Sequence, residues 1–208
     1  MDNPKQIVAQ GYDNITQSYL NLIDSMGPAV RGKYLMFITS TLPPGACILE
    51  LGCGAGIPMT EMLSANYNVV GVDISEKQLL LATRNVPEAN FILGDMTNLG
   101  FSGEAFDAVA AFYSITHVPR NEHFQLLTDI YRMLKPGGLL IATMGAGDTP
   151  DSVEDDWLGA PMFFSHFDGD RNEALVTDAG FNIISAVDEN EFEYDQPVRF
   201  RWIVARKP

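Results

Sequence analysis

The sequence predicts a doubly wound α/β fold behind an N-terminal helical prefix. Two observations carry this. Short apolar runs alternate with segments of helical period along most of the chain, and the early runs end in a glycine turn or an acid. The composition, 46% hydrophobic and 19% charged, excludes a disordered or low-complexity chain, and 208 residues favour one core over two.

The prefix comes first. From Gln6 to Met26 the apolar positions Ile7, Val8, Tyr12, Ile15, Tyr19, Leu22 and Ile23 recur at threes and fours, and Val30 to Leu42 repeats the pattern until Pro43-Pro44-Gly45 stops it, which predicts two amphipathic helices. The period then changes. Cys47–Leu51 reads as a strand running into Gly52-Cys53-Gly54-Ala55-Gly56, followed by a helix from Pro58 to Ala65. Asn68–Asp73 is a second strand, with Ser75 capping a helix to Asn85, and Asn90–Asp95 is a third. Phe106–Phe112 is a fourth strand, followed by a loop from Tyr113 to Arg120 and a helix from Glu122 to Leu134. Lys135-Pro136-Gly137-Gly138 separates that helix from a fifth strand, Leu139–Met144. Asp148–Asp156, dense in acids, reads as a loop. A helix from Arg171 to Ala179 stops at Gly180, and Phe181–Val187 and Phe200–Ala205 close the sheet as an antiparallel pair joined by an acidic loop.

Charge narrows the partners. Thirteen basic against 27 acidic residues leave a net charge of −14, the wrong sign for gripping nucleic acid or an anionic membrane, although an acidic balance also serves solubility alone. Cys47 and Cys53 match no common zinc or redox spacing and read as reduced packing thiols. The three histidines lie far apart without ligand spacing, so no metal is expected. With no apolar leader or spanning stretch, the expected location is cytoplasmic.

In a sheet of this kind ligands bind outside the carboxyl ends of the strands. The glycines Gly52, Gly54 and Gly56 have G-x-G-x-G spacing, one residue short of the dinucleotide fingerprint, and glycines after a strand also serve as plain turn residues. Asp73, ending the second strand, can accept from both hydroxyls of a ribose or cap the next helix. Asp95 can accept an adenine amino proton or simply turn the chain, while Met96 can lie over the ring.

These motifs together resemble those of the class I S-adenosylmethionine-dependent methyltransferases. Glu50-Leu51-Gly52-Cys53-Gly54-Ala55-Gly56 is similar to the family's first motif, Gly71-Val72-Asp73-Ile74-Ser75 to its ribose-binding segment and Gly94-Asp95-Met96 to its adenine-binding segment. Phe106-Asp107-Ala108-Val109 resembles the start of its fourth strand, and Leu134-Lys135-Pro136-Gly137-Gly138-Leu139 the turn before its fifth. The resemblance implies a Rossmann-like, seven-stranded, mostly parallel sheet with an antiparallel last strand. It divides the single domain 1–208 into a helical cap (1–44), a cofactor-binding core (45–145) and a substrate-side part (146–208). It also implies S-adenosyl-L-methionine as cofactor, held by Glu50, Gly52, Cys53, Gly54, Gly56, Asp73, Ile74, Asp95, Met96 and Phe112, with Tyr12 and Tyr19 on a lid helix or in ordinary helix packing.

Methyl transfer to an alcohol, phenol or protonated amine needs a base for the proton. His117 and His166 are the candidates, although a lone histidine is more often a satisfied loop or core residue. Tyr113, His117, Phe164, His166 and Trp202 are the candidate substrate residues, with Tyr194 shaping the pocket; the cluster of Phe163, Phe164 and Phe167 reads equally as core. If it lines the pocket, an aromatic wall near acids suits an amine. The absence of an Asn/Asp-Pro-Pro-Tyr/Phe run after the fourth strand argues against methylation of adenine bases or glutamine side chains. The expected function is methyl transfer to a small-molecule acceptor with release of S-adenosylhomocysteine. A non-catalytic S-adenosylmethionine-binding regulatory protein and an NAD-dependent oxidoreductase are the alternatives.

Overall fold

A computed structural model describes residues 3–27 and 29–208. The N-terminal helices are α1 (Pro4–Asn14), α2 (Thr16–Met26) and α3 (Ala29–Thr39). There follow β1 (Cys47–Leu51), α4 (Met59–Ser64), β2 (Asn68–Asp73), α5 (Glu76–Asn85), β3 (Asn90–Leu93) and β4 (Phe106–Ala111). The chain continues through α6 (His123–Met133), β5 (Leu134–Gly145), β6 (Thr149–Trp157), β7 (Ala160–His166), α7 (Gly169–Asp178), β8 (Asn182–Glu193) and β9 (Gln196–Arg206).

Seven strands form one sheet in the order β3-β2-β1-β4-β5-β9-β8. β1 to β5 pair in parallel, and β9 inserts antiparallel between β5 and β8. The order reverses between β1 and β4, and the crevice outside their carboxyl ends is the switch point where such sheets bind ligands. Alternation along the strands divides the core. Leu49, Leu51, Val109, Leu140 and Ile203 face α6 and α7, while Ile48, Val69, Ala108, Ile141 and Val204 face Tyr34 and Ile38 of α3 and Leu63 of α4.

Several elements depart from the sequence reading. The prefix helix breaks at Ile15, whose ψ of 15° is not helical. Thr16 Oγ1 bonds the carbonyls of Tyr12 and Asp13, a side-chain competition that weakens the helical ladder, and the break buries Ile15 against β7. The acidic stretch Asp148–Asp156 is not a loop: most of it is β6, paired with β7 in a separate two-stranded sheet. Its own side chains are exposed; the partner strand supplies the burial, packing Met162 and Phe163 on Val8 and Ile15. α1 and β7 approach so closely that a Cβ on Gly11 would lie 2.8 Å from both Met162 Cε and Pro161 O. The acidic loop expected before Phe200 is mostly ladder as well, since β8 and β9 pair from Asn182↔Arg206 out to Glu193↔Gln196. Lys135–Gly138 is a bulge within β5, between the pairs Phe106↔Leu134 and Ala108↔Leu139.

Candidate active site

The floor of the site is built by backbone. After β1 the chain turns through Gly52 and Gly54, with φ of +75° and +54°, and the amides of Gly52 and Cys53 donate to Val72 O at 2.8 and 3.1 Å. A Cβ on Gly52 would fall inside van der Waals contact with Ser114, so no other residue fits without movement. Asp73 takes Gly54 N on Oδ2 (2.8 Å) and Ser75 N on Oδ1 (2.9 Å). Burial pushes its pKa up, against the opposing pull of the Ser75, Gly54 and Ile74 amides. At the end of the neighbouring strand Asp95 is held by Thr97, through N at 2.9 Å and Oγ1 at 2.8 Å, and by Lys5 Nζ at 2.8 Å. Burial opposes ionisation of Asp95, but Lys5 and Thr97 together outweigh it and hold the carboxyl below its ordinary range.

These groups line a cavity with Ile74 and Met96 on the floor, Phe112, Tyr113, Ser114 and His117 along one side, and Lys5, Val8, Tyr12 and Tyr19 above. A smaller extension on the far side of the glycine turn holds Glu50 and Arg31. Glu50 is 2% exposed and accepts from Thr60 Oγ1 at 2.6 Å; burial pushes its pKa up to about 8, and the Asp73 charge adds to the rise. Arg31, also 2% exposed, donates to Gly27 O at 2.8 Å and lies 4.7 Å over the Tyr113 ring, and it makes no ion pair among the described residues. A buried carboxyl and a buried guanidinium thus share one narrow recess. Tyr113 enters it with φ of +55°, an uncommon conformation for a tyrosine, and is fixed by its hydroxyl to Glu191 Oε2 at 2.7 Å.

The cover comes from distant parts of the chain. Lys5 ties α1 to Asp95 and to Glu122. Asp13 Oδ1 accepts from Ser75 Oγ (2.6 Å) and Lys77 N (3.0 Å), tying the other end of the helix to the cap of α5. His117 sits at the junction. Its Nδ1 is 2.8 Å from Phe163 O, and because a carbonyl only accepts, Nδ1 carries the proton; Nε2, 2.8 Å from the Tyr12 hydroxyl, therefore accepts from it. Burial lowers the His117 pKa to about 4, so the imidazole is neutral at pH 7. With its proton directed at His117, the Tyr12 oxygen is left as an acceptor, with the Tyr19 hydroxyl as one neighbour.

Not every residue expected at the site reaches it. Gly56 packs under α5, where a Cβ would meet Val86 at 3.1 Å and Ala82 at 3.3 Å; its freedom serves helix-on-sheet packing. Cys53 borders the recess of Glu50 and Arg31, while its side chain packs with Leu79, Ala82 and Phe91, where burial pushes its thiol pKa up. Trp202 is fully buried in the core, stacked on Tyr34 at 4.2 Å with Nε1 3.2 Å from Glu191 Oε1, because β9 lies inside the sheet and both its faces are covered. Phe164 and His166 stand on a wider, solvent-open cleft that adjoins the first cavity at Tyr12, Tyr19, Tyr113 and His117. His166 Nδ1 lies 2.6 Å from Gly147 O and donates to it. Phe163 is buried under α1, and Phe167 packs against His123. Sequence reasoning missed Lys5, Arg31, Trp157 and Glu193. The one signal available was an arginine among the apolar positions of α3; the others join the site only through tertiary contact.

A family model described as a methyltransferase domain matches residues 48–138, from the first buried position of β1 to the bulge of β5. The chain carries a class I S-adenosylmethionine-dependent methyltransferase domain. The matched region holds the glycine turn, Asp73, Asp95 and His117, while the cover and β6–β9 lie outside it. The demethylmenaquinone methyltransferase of Renibacterium salmoninarum is 32% identical over 143 residues, 68% of this chain and 60% of that relative's length. In fold, the domain is similar to an S-adenosylmethionine-dependent methyltransferase of Methanosarcina mazei, with a TM-score of 0.72 and 24% identity over 82% of this chain and 96% of that one. It is also similar to magnesium protoporphyrin IX methyltransferase of Synechocystis with bound S-adenosylhomocysteine, at a TM-score of 0.75 and 17% identity over 99% of this chain and all of the other.

The residues of this domain fit the family's cofactor. A Cβ on Gly54 would have only Gln78 Oε1 (3.8 Å) and Tyr19 Cε1 (3.9 Å) within reach, which leaves a cradle beside the turn, and the buried amide of Gln78 has no partner among the described residues. A nucleoside with two hydroxyls and an amino group suits the two carboxylates, and a zwitterion suits the recess of Glu50 and Arg31.

Proposed function

We propose that this chain transfers the methyl group of S-adenosylmethionine to a small-molecule acceptor and releases S-adenosylhomocysteine. The observation that carries the reading is the run of complementary groups along three adjoining spaces that share Tyr19 and Tyr113. Asp95 and Asp73 mark the nucleoside end, Glu50 and Arg31 the amino-acid end, and a second cleft opens where the two meet. When bound, the cofactor supplies an electrophilic methyl on a sulfonium. The chain supplies position and exclusion of water. Asp73 accepts from the ribose hydroxyls, Asp95 from the adenine amino group with Met96 against the ring, Glu50 takes the ammonium and Arg31 the carboxylate. The backbone of Gly52 and Gly54 allows the close approach, and Ile74 and Phe112 shape the walls.

Tyr12 and Tyr19 close the top and separate the two spaces. His117 fixes the Tyr12 hydroxyl so that its oxygen receives the N–H or O–H of the methyl acceptor; alignment of this kind and desolvation lower the barrier of a displacement. Phe164 and His166 face the methyl acceptor from the open cleft. The similarity to a demethylmenaquinone methyltransferase supports a small organic acceptor.

The test is calorimetric titration with S-adenosylmethionine, S-adenosylhomocysteine and NAD in parallel. Saturable binding of the first two without NAD supports the reading, NAD binding alone replaces it with a redox enzyme, and Asp73→Ala is expected to abolish binding. His117→Ala is expected to lower turnover while leaving S-adenosylhomocysteine affinity within about threefold, the split expected of a group that acts on the methyl acceptor. Unchanged turnover removes His117 from the chemistry.

A further inference from the structure

The second cleft carries more information than an undifferentiated acceptor pocket. It is open to solvent, holds about 650 Å³ and is walled where it meets the first cavity by Trp157, Tyr12, Tyr19, Phe164 and His117. The Trp157 ring centroid lies 5.9 Å from Tyr12, 6.1 Å from Tyr19, 5.6 Å from Phe164 and 6.1 Å from His117, so the indole is the hub of one aromatic cluster. The cleft carries two glutamates against one arginine. Glu154 and Glu193 both line it, and burial pushes the Glu193 pKa up, with the Glu154 and Glu191 charges adding to the rise and the Trp157 indole hydrogen bond opposing it. Glu193 also adds to the raised pKa of Tyr12 and, more weakly than Arg31 opposes it, to that of Tyr19, so its field reaches the junction of the two spaces. The sole arginine or lysine on the cleft among the described residues is Arg199, more than half exposed and 3.7 Å from Asp188. His117 is neutral and His166 is turned to Gly147 O.

Such a lining is suited to positive charge and hostile to negative charge. Aromatic faces and a partly desolvated carboxylate each attract an organic cation. A phenolate or carboxylate at the Trp157 cluster would meet the two glutamates, with the cleft's one arginine already beside Asp188, at a cost comparable to a like-charge contact. We propose that the methyl acceptor is a small organic amine, bound as its ammonium with the nitrogen between the Trp157 cluster and Glu193. This inference rests on the methyltransferase reading and names its substrate class.

The chemistry balances. The ammonium loses a proton to solvent through the open cleft, the free nitrogen lone pair forms the new N–C bond, and the C–S bond breaks with its electron pair going to sulfur. The positive charge that began on sulfur ends on nitrogen. With an anionic oxygen nucleophile the charge would instead vanish in the product, and a negative cleft would work against the ground state. The Trp157 cluster and Glu193 therefore stabilise the charge where it arrives.

The test uses the full chain saturated with S-adenosylhomocysteine, which presents no sulfonium to repel a cation. It is titrated with tetramethylammonium, choline and phenyltrimethylammonium, and against them with 3,3-dimethyl-1-butanol, the uncharged isostere of choline, and benzoate. The expected result is a preference of about tenfold or more for the cations, the range of a desolvated cation–π contact. Glu193→Gln and, separately, Trp157→Leu are each expected to reduce that preference severalfold while S-adenosylhomocysteine affinity stays unchanged, which certifies the fold of both variants. Equal binding of choline and its isostere, a preference for benzoate, or no binding of any cation overturns the proposal while intact S-adenosylhomocysteine binding leaves the methyltransferase reading standing. Failure to bind S-adenosylhomocysteine at all brings down both, and is seen before any acceptor probe is added.

Discussion

The floor and the cover of this site are built by different means. On the floor, the backbone amides of the turn after β1 donate to the end of β2, Gly52 and Cys53 to Val72 O and Gly54 to the Asp73 carboxylate. On the cover, α1, the 3-10 turn carrying His117 and the β6–β7 hairpin meet through side chains from positions more than a hundred residues apart in sequence, such as Tyr12 with His117 and Lys5 with Glu122. Backbone hydrogen bonds between neighbouring strands fix the floor before any ligand arrives. Half-exposed ion pairs and a small apolar cluster hold the cover, and such contacts open at lower free energy. The difference assigns rigid recognition to one end and entry, closure and choice of methyl acceptor to the other.

The sharpest way to break that division is to attack the floor. Gly52→Ala introduces a Cβ against Ser114 at φ +75°, so loss of measurable S-adenosylmethionine binding is expected, with destabilisation of roughly 2–4 kcal/mol, checked by calorimetry and denaturant unfolding. Full affinity in that variant would show that the floor is not preformed.

Glu50 gives the next largest effect, and it has a sign. Its carboxyl is protonated in the fold up to about pH 8 against an ordinary 4.5, so its contribution to stability is complete below pH 4.5 and is lost as pH rises from there through 8. Glu50→Gln keeps the Thr60 hydrogen bond without that loss, and its stability relative to the parent should climb by roughly a few kcal/mol between pH 5 and 8. The same variant should bind S-adenosylmethionine about a hundredfold more weakly through loss of a buried charge pair. In the parent, binding at pH 7 should release a proton, read from heats in buffers of different ionisation enthalpy.

The junction comes third. His117 has its pKa depressed by burial from 6.5 to about 4, so the stability that its neutral form provides is present above 6.5 and lost as pH falls through 4. His117→Gln should remove that acid limb, an effect of roughly 2–3 kcal/mol in pH-dependent unfolding. The smallest effect belongs to the latch. Lys5 is a quarter exposed and paired with two carboxylates, so Lys5→Ala should cost only about 1 kcal/mol or less, yet speed proteolysis within α1 several-fold and weaken S-adenosylhomocysteine by a similar factor. An unchanged cleavage rate would mean that the apolar contacts with Met162 and Phe163 alone keep the cover shut.

Much of the floor was legible because its rules are local. A strand ending in Gly52-Cys53-Gly54 needs positive φ there, and a strand ending in Asp73 places a carboxylate at the sheet edge whatever the rest of the chain does. The cover was legible only in its apolar periodicity. The acids of Asp148–Asp156 pointed to a loop, yet that stretch became β6 because its neighbour in the hairpin carried the buried face. Trp202 looked like a pocket residue beside other aromatics and proved to be core, since strand order rather than composition decides which faces are covered.

By itself, then, the sequence determined the alternation of strands and helices, the glycine turn and the carboxylates at the ends of β2 and β3, because hydrophobic period and backbone freedom act over a few residues. Tertiary structure alone decided that Arg31 and Glu50 line one narrow recess, that Phe163 O sets the tautomer of His117, and that Trp157 and Glu193 meet on one cleft. Those arrangements depend on side chains brought together by packing from distant segments, and no spacing along the chain encodes them.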